Sequence, residues 1–546
     1  MGMESTDFTP ETLSQMPKDD LVQMVIGLLN NQKEMAKNLE ILTQQIAIMN
    51  QRTYGRKTES VSALQMSFDF GFNEPEAIAD PAQSDPSLEE AAPARRKKKT
   101  QPKDNITKVT NYETVNLELP KEELDRIFGV DNYKRLPDKI IQKLEHHPAS
   151  FKAIIYHQAV YAIKDQTKTE GRDPESTASI VCAPRPLELW PNSIATPSLI
   201  ASIMMGKYVN AVPLYRQEQV YEKNEVFISR TTMANWMIKS ADLYLKPYFN
   251  VLHDTLIKQH LLHADETPCQ VIKDGRPAGS KSYMWCYRSS PESLDPQIVL
   301  YDYQKTRKAD HPENFLNGFS GICVTDGYQA YHMLARKYPD HFKVAGCWVH
   351  LKRKFSEPVK AAGSGSPPPL AEEAVKRISQ IFHEDKKLKD LPLEEQLTKR
   401  KELIEPLVNS FFEWVREKQR FVAPESATGK GFTYALNQEE FLRTFLTDPS
   451  VPLNNSAAER AIRPFTTGRK NWMFFDTIKG AEASAAIYSI VETGKANHLN
   501  LYAYLNYLLT ELPKYIHEEK VDDLPEELFP WSDKFPVQLR KDGLKA

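Results

Sequence analysis

The chain has 546 residues, of which 41% are apolar and 10% aromatic, and this predicts a folded protein of roughly three or four domains. The net charge of -3 excludes a uniformly basic nucleic-acid binder but leaves room for local basic patches. Five scattered cysteines form no Cys-x-x-Cys pair, which argues against a disulfide framework and a structural zinc site. No apolar run approaches the roughly 20 residues of a membrane span, and the N-terminal residues do not resemble a signal peptide. We therefore expect a reduced, cytoplasmic protein without a membrane partner.

The first predicted element is a coiled coil. Apolar residues alternate in steps of four and three from Leu21 to Met49, a heptad seam of about four heptads in which Gln32 is the one polar layer. The alternative is a single amphipathic helix packed on its own domain. No apolar segment follows closely enough for such packing, so we expect a homo-oligomer formed through residues 21–49.

A linker and a small domain follow. Residues 72–104 are rich in proline, alanine and acids and poor in large apolar side chains, which predicts disorder. The run Arg95–Lys99 within it is either a solvated charge cluster or, in a nucleic-acid-binding protein, a phosphate-contacting arm. Residues 105–170 then predict a small mixed domain, because "FKAIIYHQAVYAIKD" has the β-branched and aromatic composition of a strand.

Residues 194–250 have a helical pattern that resembles helix, short turn, helix. Ser229 or Thr231 would cap the second helix and place Arg230 near its start, as in a DNA-binding helix-turn-helix. The alternative is a core helix packed through its apolar residues Trp236, Met237 and Ile238.

Two acids mark the next region, residues 258–350, which contains five short strand-like runs. Asp265 lies with Glu266 inside the apolar run "LLHADETPCQV", and Asp326 directly follows the apolar run "GICVT". Strands are depleted in acids, and a buried carboxylate costs free energy unless it is paired. Neither Asp265 nor Glu266 has a Lys or Arg beside it. If the two strands are neighbours, Asp265 and Asp326 converge and require a cation, for which Mg²⁺ is the oxygen-preferring choice.

Glu459 is the candidate for a third acid. It lies near the start of a predicted helix and is followed by bases at Arg460, Arg463, Arg469 and Lys470. An acid among bases suits a phosphodiester site, because the acid holds metal and the bases hold phosphate. Two structural alternatives remain open: "SAAE" fits a capping box, and Arg463 is spaced to pair with Glu459.

These motifs together resemble those of the DDE transposases of the insertion sequence sixty-six family. The matching stretches run in the family's order from about residue 21 to 508, and they are "YGRKTES", "VPLYRQEQ", "ADETP", "TDGYQAY", "GCWVHLKRKF", "NNSAAERAIRPFTTGRKNW" and "AEASAAIYSIVETGKAN". The resemblance implies an α/β fold with an RNase H-like core, a mixed sheet flanked by helices, and a helical insertion between the second and third acids. It also implies metal-dependent cleavage and strand transfer of insertion-sequence DNA ends.

On the matching positions, Asp265, Asp326 and Glu459 would be both the catalytic residues and the ligands of Mg²⁺, for which Mn²⁺ would substitute. The partner would be double-stranded DNA, namely the terminal inverted repeats and the target, in the bacterial nucleoid, with element-encoded accessory proteins as further partners. We expect DNA contacts from Arg460, Arg463, Arg469, Lys470, Lys352, Arg353, Lys354 and Arg230.

Two features qualify the resemblance. Cys347 and His350 in "CWVH" match a C-x-x-H signature near the active site of several transposase groups, and we expect them to support the site, with a direct role of His350 near phosphate as the alternative. Family members usually carry a zinc-binding segment before the core, but residues 105–180 contain no cysteine, so we expect no zinc.

Two other functions compete with transposition: an RNase H-like nuclease that cuts without joining, and a domesticated DNA-binding protein with a degenerate core. The intact set of three acids argues against the second.

The expected domains are a coiled coil (10–60), a linker with a basic run (61–104), a small mixed domain (105–180), a helical, possible helix-turn-helix domain (190–255), the first part of the core (256–360), a helical insertion (361–445), the last part of the core (446–515) and a C-terminal tail (516–546).

Overall fold

The computed structural model describes residues 17–54, 112–147, 150–164, 178–277, 279–362, 368–516 and 524–541. The chain divides into two compact units. The first contains the described parts of Met1–Asp69, Val324–Gly327 and Val344–Asn455, and the second those of Phe70–Cys323, Tyr328–Lys343 and Ser456–Ala546. The predicted linker with its basic run lies outside the described residues.

The helices and strands are numbered in chain order. The α-helices are α1 (Lys18–Tyr54), α2 (Lys121–Phe128), α3 (Pro197–Met204), α4 (Leu214–Lys223), α5 (Arg230–Ser240), α6 (Lys246–Leu256), α7 (Asp310–Phe315), α8 (Gln329–Lys337), α9 (Trp348–Ala361), α10 (Pro369–Lys387), α11 (Leu393–Lys399), α12 (Glu405–Gln419), α13 (Ala427–Asn437), α14 (Glu439–Leu442), α15 (Ser456–Trp472), α16 (Ile478–Ala496) and α17 (Leu501–Ile516). The strands are β1 (Tyr112–Leu117), β2 (Tyr133–His147), β3 (Ser150–Ile163), β4 (Ile180–Cys182), β5 (Leu261–Cys269), β6 (Val271–Lys273), β7 (Ser282–Ser289), β8 (Val299–Gln304), β9 (Gly321–Thr325), β10 (Phe342–Gly346) and β11 (Phe475–Thr477).

A small sheet begins the second unit. Its strands have the order β1-β3-β2, and β2 and β3 form a long antiparallel hairpin. Strand β4 pairs with β3 near the C-terminal end of β3. Helix α2 buries Leu124 and Phe128 in a core shared with Tyr161. The strand-type run "FKAIIYHQAVYAIKD" therefore lies in β3, where its alternating side chains pack against this core.

The segment that resembles a helix-turn-helix forms α4 and α5. Ser229 caps α5, since its hydroxyl accepts the Thr232 N–H at 3.1 Å. Six of the eleven residues of α5 are buried, among them Met233, Trp236, Met237 and Ile238. A recognition helix needs an exposed face to enter the major groove. The burial of α5 therefore favours the core-packing alternative over the DNA-reading one.

The main sheet has five strands in the order β10-β9-β5-β7-β8, and all five strand-like runs of residues 258–350 contribute a strand. Strands β5, β7 and β8 are antiparallel neighbours. Their register aligns Asp265 with Cys286 and Tyr301. Because directly opposed residues share a face and successive residues alternate, this row lies on one face of the sheet, and Glu266 lies on the other.

Helices cover both faces. On the Asp265 face, Tyr301 donates its hydroxyl hydrogen to the Ala461 carbonyl oxygen of α15, and its ring lies 5.6 Å from that of Tyr488 in α16. On the Glu266 face, the ring of Tyr287 stacks 4.0 Å from Phe315 of α7. The result is a mixed α/β layer structure with the sheet in the middle.

Helix α16 also protects the edge strand β8. The Ser489 hydroxyl accepts the Tyr301 N–H at 2.7 Å. The Thr493 hydroxyl both accepts the Val299 N–H and donates to the Val299 carbonyl, each at 3.0 Å. Two hydroxyls thus satisfy backbone groups that an edge strand otherwise leaves open to pairing with another chain. This gives the "YSIVETGKAN" part of the sequence a structural role.

The first unit is largely helical. Trp348 of α9 packs against Phe411 and Phe412 of α12. The buried Arg400 pairs with Asp385 at 2.9 Å, and its Nη1 lies 3.0 to 3.2 Å from the backbone carbonyl oxygens of Phe445, Asp448, Pro449 and Val451. This guanidinium therefore fastens the segment 445–451 to the helical insertion.

The N-terminal helix α1 extends over 37 residues and contacts α9 and α13. Six apolar residues of its predicted heptad seam are exposed, since Val25, Leu28, Met35, Leu39, Leu42 and Ile46 keep 53 to 73% of their surface in solvent. A row of exposed large apolar side chains at heptad spacing is typical of a coiled-coil seam. Self-association through α1 stays a prediction.

We expect the double substitution Leu28→Asp with Leu42→Asp to reduce the mass of the protein in sedimentation equilibrium, because it places two charges in the seam. The matched control is Ile26→Asp with Asn30→Asp, which adds the same charge to exposed positions outside the seam. An unchanged mass for the seam variant would mean that α1 packs only within its own chain.

Candidate active site

Asp265 and Glu459 lie on elements that contact each other. Asp265 is in the middle of β5, on the face covered by α15, and Glu459 is in the first turn of α15, which packs against β5 and β7. Two contacts fix this turn on either side of Glu459. Arg288 Nη1 lies 3.5 Å from the Ala457 carbonyl oxygen, and the Tyr301 hydroxyl donates a hydrogen bond to the Ala461 carbonyl oxygen. The fold thus holds both carboxylate-bearing segments on one side of the sheet.

Glu266 has a different environment, and its positive partner is Arg307. Arg307 Nε donates to Glu266 Oε1 at 2.9 Å, and the Arg307 guanidinium lies 3.9 Å from the ring centre of Tyr328. The Glu266 side chain is only 2% exposed, whereas that of Arg307 is 41% exposed. For Glu266 the positive partner is therefore not the metal expected from the sequence but an arginine 41 residues away, which no neighbouring residue reveals.

Asp265 itself turns away from this ion pair. Its Oδ1 accepts the backbone N–H of Glu266 at 2.9 Å. Burial strongly raises the pKa of the Cys286 thiol, its cross-strand neighbour, and the negative charges of Asp265 and Glu492 raise it further. Cys286 therefore stays a neutral thiol beside the Asp265 carboxylate.

Asp326 belongs to the first unit, where it directly follows β9. The Tyr434 hydroxyl of α13 donates to the Asp326 carbonyl oxygen at 2.8 Å. The next residue, Gly327, has φ +95°, and a β-carbon there would lie 2.8 Å from the Tyr434 hydroxyl oxygen. Burial raises the pKa of Tyr434, and the charge of Asp326 adds to this rise. A neutral phenol from the helical insertion therefore holds the backbone at Asp326, and the turn requires glycine.

Two residues of the "CWVHLKRKF" segment lie near Tyr434 in the same unit. Cys347 Sγ accepts the Asn455 N–H at 3.2 Å. The ring of His350 lies 6.4 Å from that of Tyr434, and Lys354 Nζ lies 5.4 Å from the Tyr434 ring centre. Cys347 thus has a structural contact in the chain segment just before α15. Of the other predicted DNA contacts here, Arg353 is exposed, and Lys352 packs its amine 5.8 Å from the Phe382 ring.

The four bases of α15 do not form one group. Arg460, Arg463 and Lys470 are exposed, and their spacings of three and seven residues place them on one side of the helix. Arg469 turns towards β5, since burial lowers its pKa and it lies near Cys269, whose pKa burial raises to about 12. Arg230 is on α5, 4.0 Å from Glu218. Arg469 and Arg230 therefore contact protein rather than extend this basic row.

The start of α15 bears on the capping alternative for Glu459. The helix begins at Ser456, so Glu459 is its fourth residue. In a capping box, Ser456 would instead precede the first helical residue, and Glu459 would be the third. A difference of one residue in where a helix begins does not decide between these registers, so the capping-box alternative stays open and is tested below by Glu459→Gln.

The donor chemistry fits Mg²⁺ bound together with a phosphate ligand. Within the part of the chain that the structure describes, no three acids, histidines or cysteines are grouped closely enough to hold a metal by themselves. Mg²⁺ usually keeps several waters and is held by one or two carboxylates plus substrate phosphates. Asp265 and Glu459 supply oxygen donors of this kind from adjoining elements.

Comparison with known proteins identifies the family. A model described as "Transposase IS66 family" matches residues 192–483, which include all three predicted catalytic acids. The chain belongs to the IS66 transposase family. A model of the IS66 C-terminal element matches residues 489–531, and one described as "Transposase C of IS166 homeodomain" matches residues 41–107.

Three curated relatives of this transposase come from Sinorhizobium fredii, and all three are described as uncharacterized proteins. Protein y4qI is 27% identical over 92% of this chain and 90% of its own length. Protein y4hP is 27% identical over 74% of this chain and 72% of its own length, and y4jD is 26% identical over 65% and 69%. In the described helices of the transposase, none is long and apolar enough to cross a membrane.

No pattern in the sequence pointed to three residues that contact the candidate acids or their neighbours: Arg307, Tyr434 and Arg288. Each acts on an acid, or on the helix that carries one, from 41 to 169 residues away. No local pattern marks such pairs. Only the buried position of Glu266 in β5 signals that some distant cation is required.

We expect Arg307→Met to lower the free energy of unfolding by about 2 kcal/mol, because Glu266 would lose a charged partner while remaining buried. Adding Glu266→Gln should recover most of this loss, since the charge is then gone. Chemical denaturation of the two single variants and the double variant measures the coupling. Arg336→Met, on the exposed side of α8, is the matched control. A coupling near zero would show that the ion pair contributes nothing.

Proposed function

We propose that this transposase cleaves the DNA ends of its element and joins them to target DNA, using Asp265, Asp326 and Glu459 in an RNase H-like core. The observation that carries the proposal is the placement of Asp265 and Glu459 on contacting elements at one face of the sheet, while the adjacent Glu266 is neutralised on the other. The strand order β10-β9-β5-β7-β8, with β5, β7 and β8 antiparallel, supports the RNase H-like assignment.

The reaction has two steps. In the first, a water oxygen attacks a backbone phosphorus at the element end, and the bond from that phosphorus to the 3′ oxygen breaks. The products are a 3′ hydroxyl, whose oxygen takes up one proton through solvent in place of one given up by the water, and a 5′ phosphate that carries the hydroxyl from the water. In the second, the 3′ hydroxyl loses its proton to solvent as its oxygen attacks a target phosphorus, and the displaced target 3′ oxygen takes up a proton. The number of phosphodiester bonds is unchanged by the second step, so no external energy source is required.

The acids have a defined task in this scheme. Asp265, Asp326 and Glu459 would hold Mg²⁺, or Mn²⁺ in its place, through carboxylate oxygens. Bound Mg²⁺ supplies activation of the attacking oxygen and charge stabilisation of the leaving one. The Tyr434 hydrogen bond to the Asp326 carbonyl and the Arg288 contact with the Ala457 carbonyl keep the segments of the second and third acids in place.

The exposed bases would bind the DNA backbone. Arg460, Arg463 and Lys470 form a row on α15 directly after Glu459, and each exposed cation placed on a phosphate displaces a counterion. Arg353 and Lys354 offer a second set of cations in the first unit. The DNA bound would be the terminal inverted repeats and the target, by an oligomer assembled through α1, with element-encoded accessory proteins as further partners.

We expect Asp265→Asn and Asp326→Asn each to abolish cleavage and joining while leaving DNA binding and folding intact, because a neutral amide is a poor ligand for Mg²⁺. Glu266→Gln is the matched control, since it removes the neighbouring carboxylate on the opposite face and should retain activity. Cleavage of a labelled element end, and joining of a pre-cut end, are measured separately. Cleavage without joining by the wild type would indicate a nuclease, and full cleavage by Asp265→Asn would overturn the assignment.

Glu459→Gln distinguishes a metal ligand from a structural acceptor. A structural role needs only an acceptor, so glutamine would preserve activity and change stability by less than about 1 kcal/mol. The proposed role predicts similar stability but activity reduced by orders of magnitude. Glu482→Gln and Glu492→Gln are the controls, because these acids of α16 have lysine partners, Lys246 at 3.5 Å and Lys495 at 2.6 Å. If Glu459→Gln reacts at the wild-type rate and a control does not, the third acid is misassigned.

A further inference from the structure

A cavity of about 910 Å³ opens in the second unit on the Asp265 face of the sheet. Four cations from four parts of the chain line it: Arg288 of β7, Arg460 of α15, Lys495 of α16 and Arg540 of the C-terminal segment. Cations from segments so far apart in sequence have been brought together by the fold. Their concentration around one cavity indicates a site for an anion.

Positive charge is in excess in the cavity, because two acids, Asp295 and Glu492, line it beside the four cations. Lys495 pairs with Glu492 at 2.6 Å. No described carboxylate oxygen lies within ion-pairing distance of the Arg288, Arg460 or Arg540 guanidinium, and the hydrogen bonds of Arg288 and Arg540 go to backbone carbonyls. Burial lowers the pKa of Arg288, the positive charge of Arg460 also lowers it, and the charge of Glu492 raises it. Placing the Arg288 and Arg460 guanidinium groups near each other costs free energy, which a bound anion would offset.

An aromatic wall adds a second kind of contact. Trp531 lines the cavity, is half-buried, and stacks on Phe529 with ring centres 5.3 Å apart and planes 25° apart. Arg540 holds the chain next to Trp531 in place by donating a hydrogen bond to the Pro530 carbonyl oxygen at 2.8 Å. A braced indole beside unpaired arginines is the combination that binds bases and phosphates of single-stranded nucleic acid.

The cavity lies next to the proposed active site. Arg288 is two residues along β7 from Cys286, the register partner of Asp265, which corresponds to about 7 Å along the strand. Arg460 directly follows Glu459 in sequence. A duplex is too wide to enter a cavity of this size, whereas a single strand leaving the acids reaches it within a few nucleotides.

We propose that this cavity binds a short single-stranded segment of DNA, with its phosphates on Arg288, Arg460 and Arg540 and a base against Trp531. The inference rests on the proposed function, because that function supplies DNA strands at the neighbouring acids. A free nucleotide presents the same base and phosphate, so the test must separate the two sources.

The test measures binding of the full-length protein to a fluorescent oligothymidylate by anisotropy, with EDTA present so that no cleavage occurs. We expect Trp531→Ala to weaken binding roughly five- to 150-fold, because this is the range for loss of one base–aromatic stack. Trp531→Phe should restore most of the affinity. Arg540→Ala should weaken binding and reduce the slope of log affinity against log salt concentration by about 0.7. Arg336→Ala, outside the cavity, is the matched control.

A second measurement does not depend on how well the variants fold. Photo-cross-linking of wild-type protein to an oligonucleotide containing 5-iododeoxyuridine should label a peptide that contains Trp531. Wild-type affinity in both Trp531→Ala and Arg540→Ala, or labelling only elsewhere, would overturn the proposal. Thymidine monophosphate that binds as tightly as the oligonucleotide would overturn the assignment to a strand. Neither measurement involves cleavage. A negative result in the binding tests therefore does not contradict the proposed catalytic acids, and the activity of the acid variants does not bear on the cavity.

Discussion

The arrangement of this site depends on one constraint, the alternation of side chains along β5. Asp265 and Glu266 are adjacent, so the strand sends their carboxylates to opposite faces. Burying a carboxylate costs free energy, so each of the two needs its own stabilising partner. Glu266 is compensated by Arg307, which is itself held over the Tyr328 ring. This leaves Asp265 as the acid on the face covered by α15, which carries Glu459.

The helices on the Asp265 face are fixed to the sheet by hydrogen bonds, and this sets the position of Glu459. Helix α16 is fixed to the edge strand β8 by the Ser489 and Thr493 hydroxyls, and α15 is fixed by Tyr301 and Arg288. Hydrogen bonds from side chains to backbone carbonyls tolerate little displacement. The first turn of α15, which carries Glu459, therefore has a set position over β5 and β7. The basic row of α15 follows from the same placement, because it begins at the next residue.

The sequence predicted the elements of the site better than its contacts. Short apolar runs located the strands that carry Asp265 and precede Asp326, and the family resemblance selected Glu459 from the many acids of the chain. Local patterns did not locate Arg307 or Tyr434, because each reaches its acid through tertiary packing over 41 and 108 residues. The helix-turn-helix pattern of α4 and α5 was ambiguous for the same reason. Ser229 caps α5 in either interpretation, and only the burial of Trp236 and Met237 distinguishes a core helix from a recognition helix.

The Tyr434 hydrogen bond has a consequence for how members of this family can diverge. It ties the Asp326 backbone to α13, near the end of a helical insertion that begins more than 60 residues earlier at α10. Changes of length in the loops between α10 and α12 leave this bond in place. The sequence and length of those loops can therefore vary. Loss of α13 would release the turn at Gly327 and, with it, the backbone of a proposed catalytic acid. Selection should therefore act unevenly on the insertion, weakly on its distal loops and strongly on one phenol near its end.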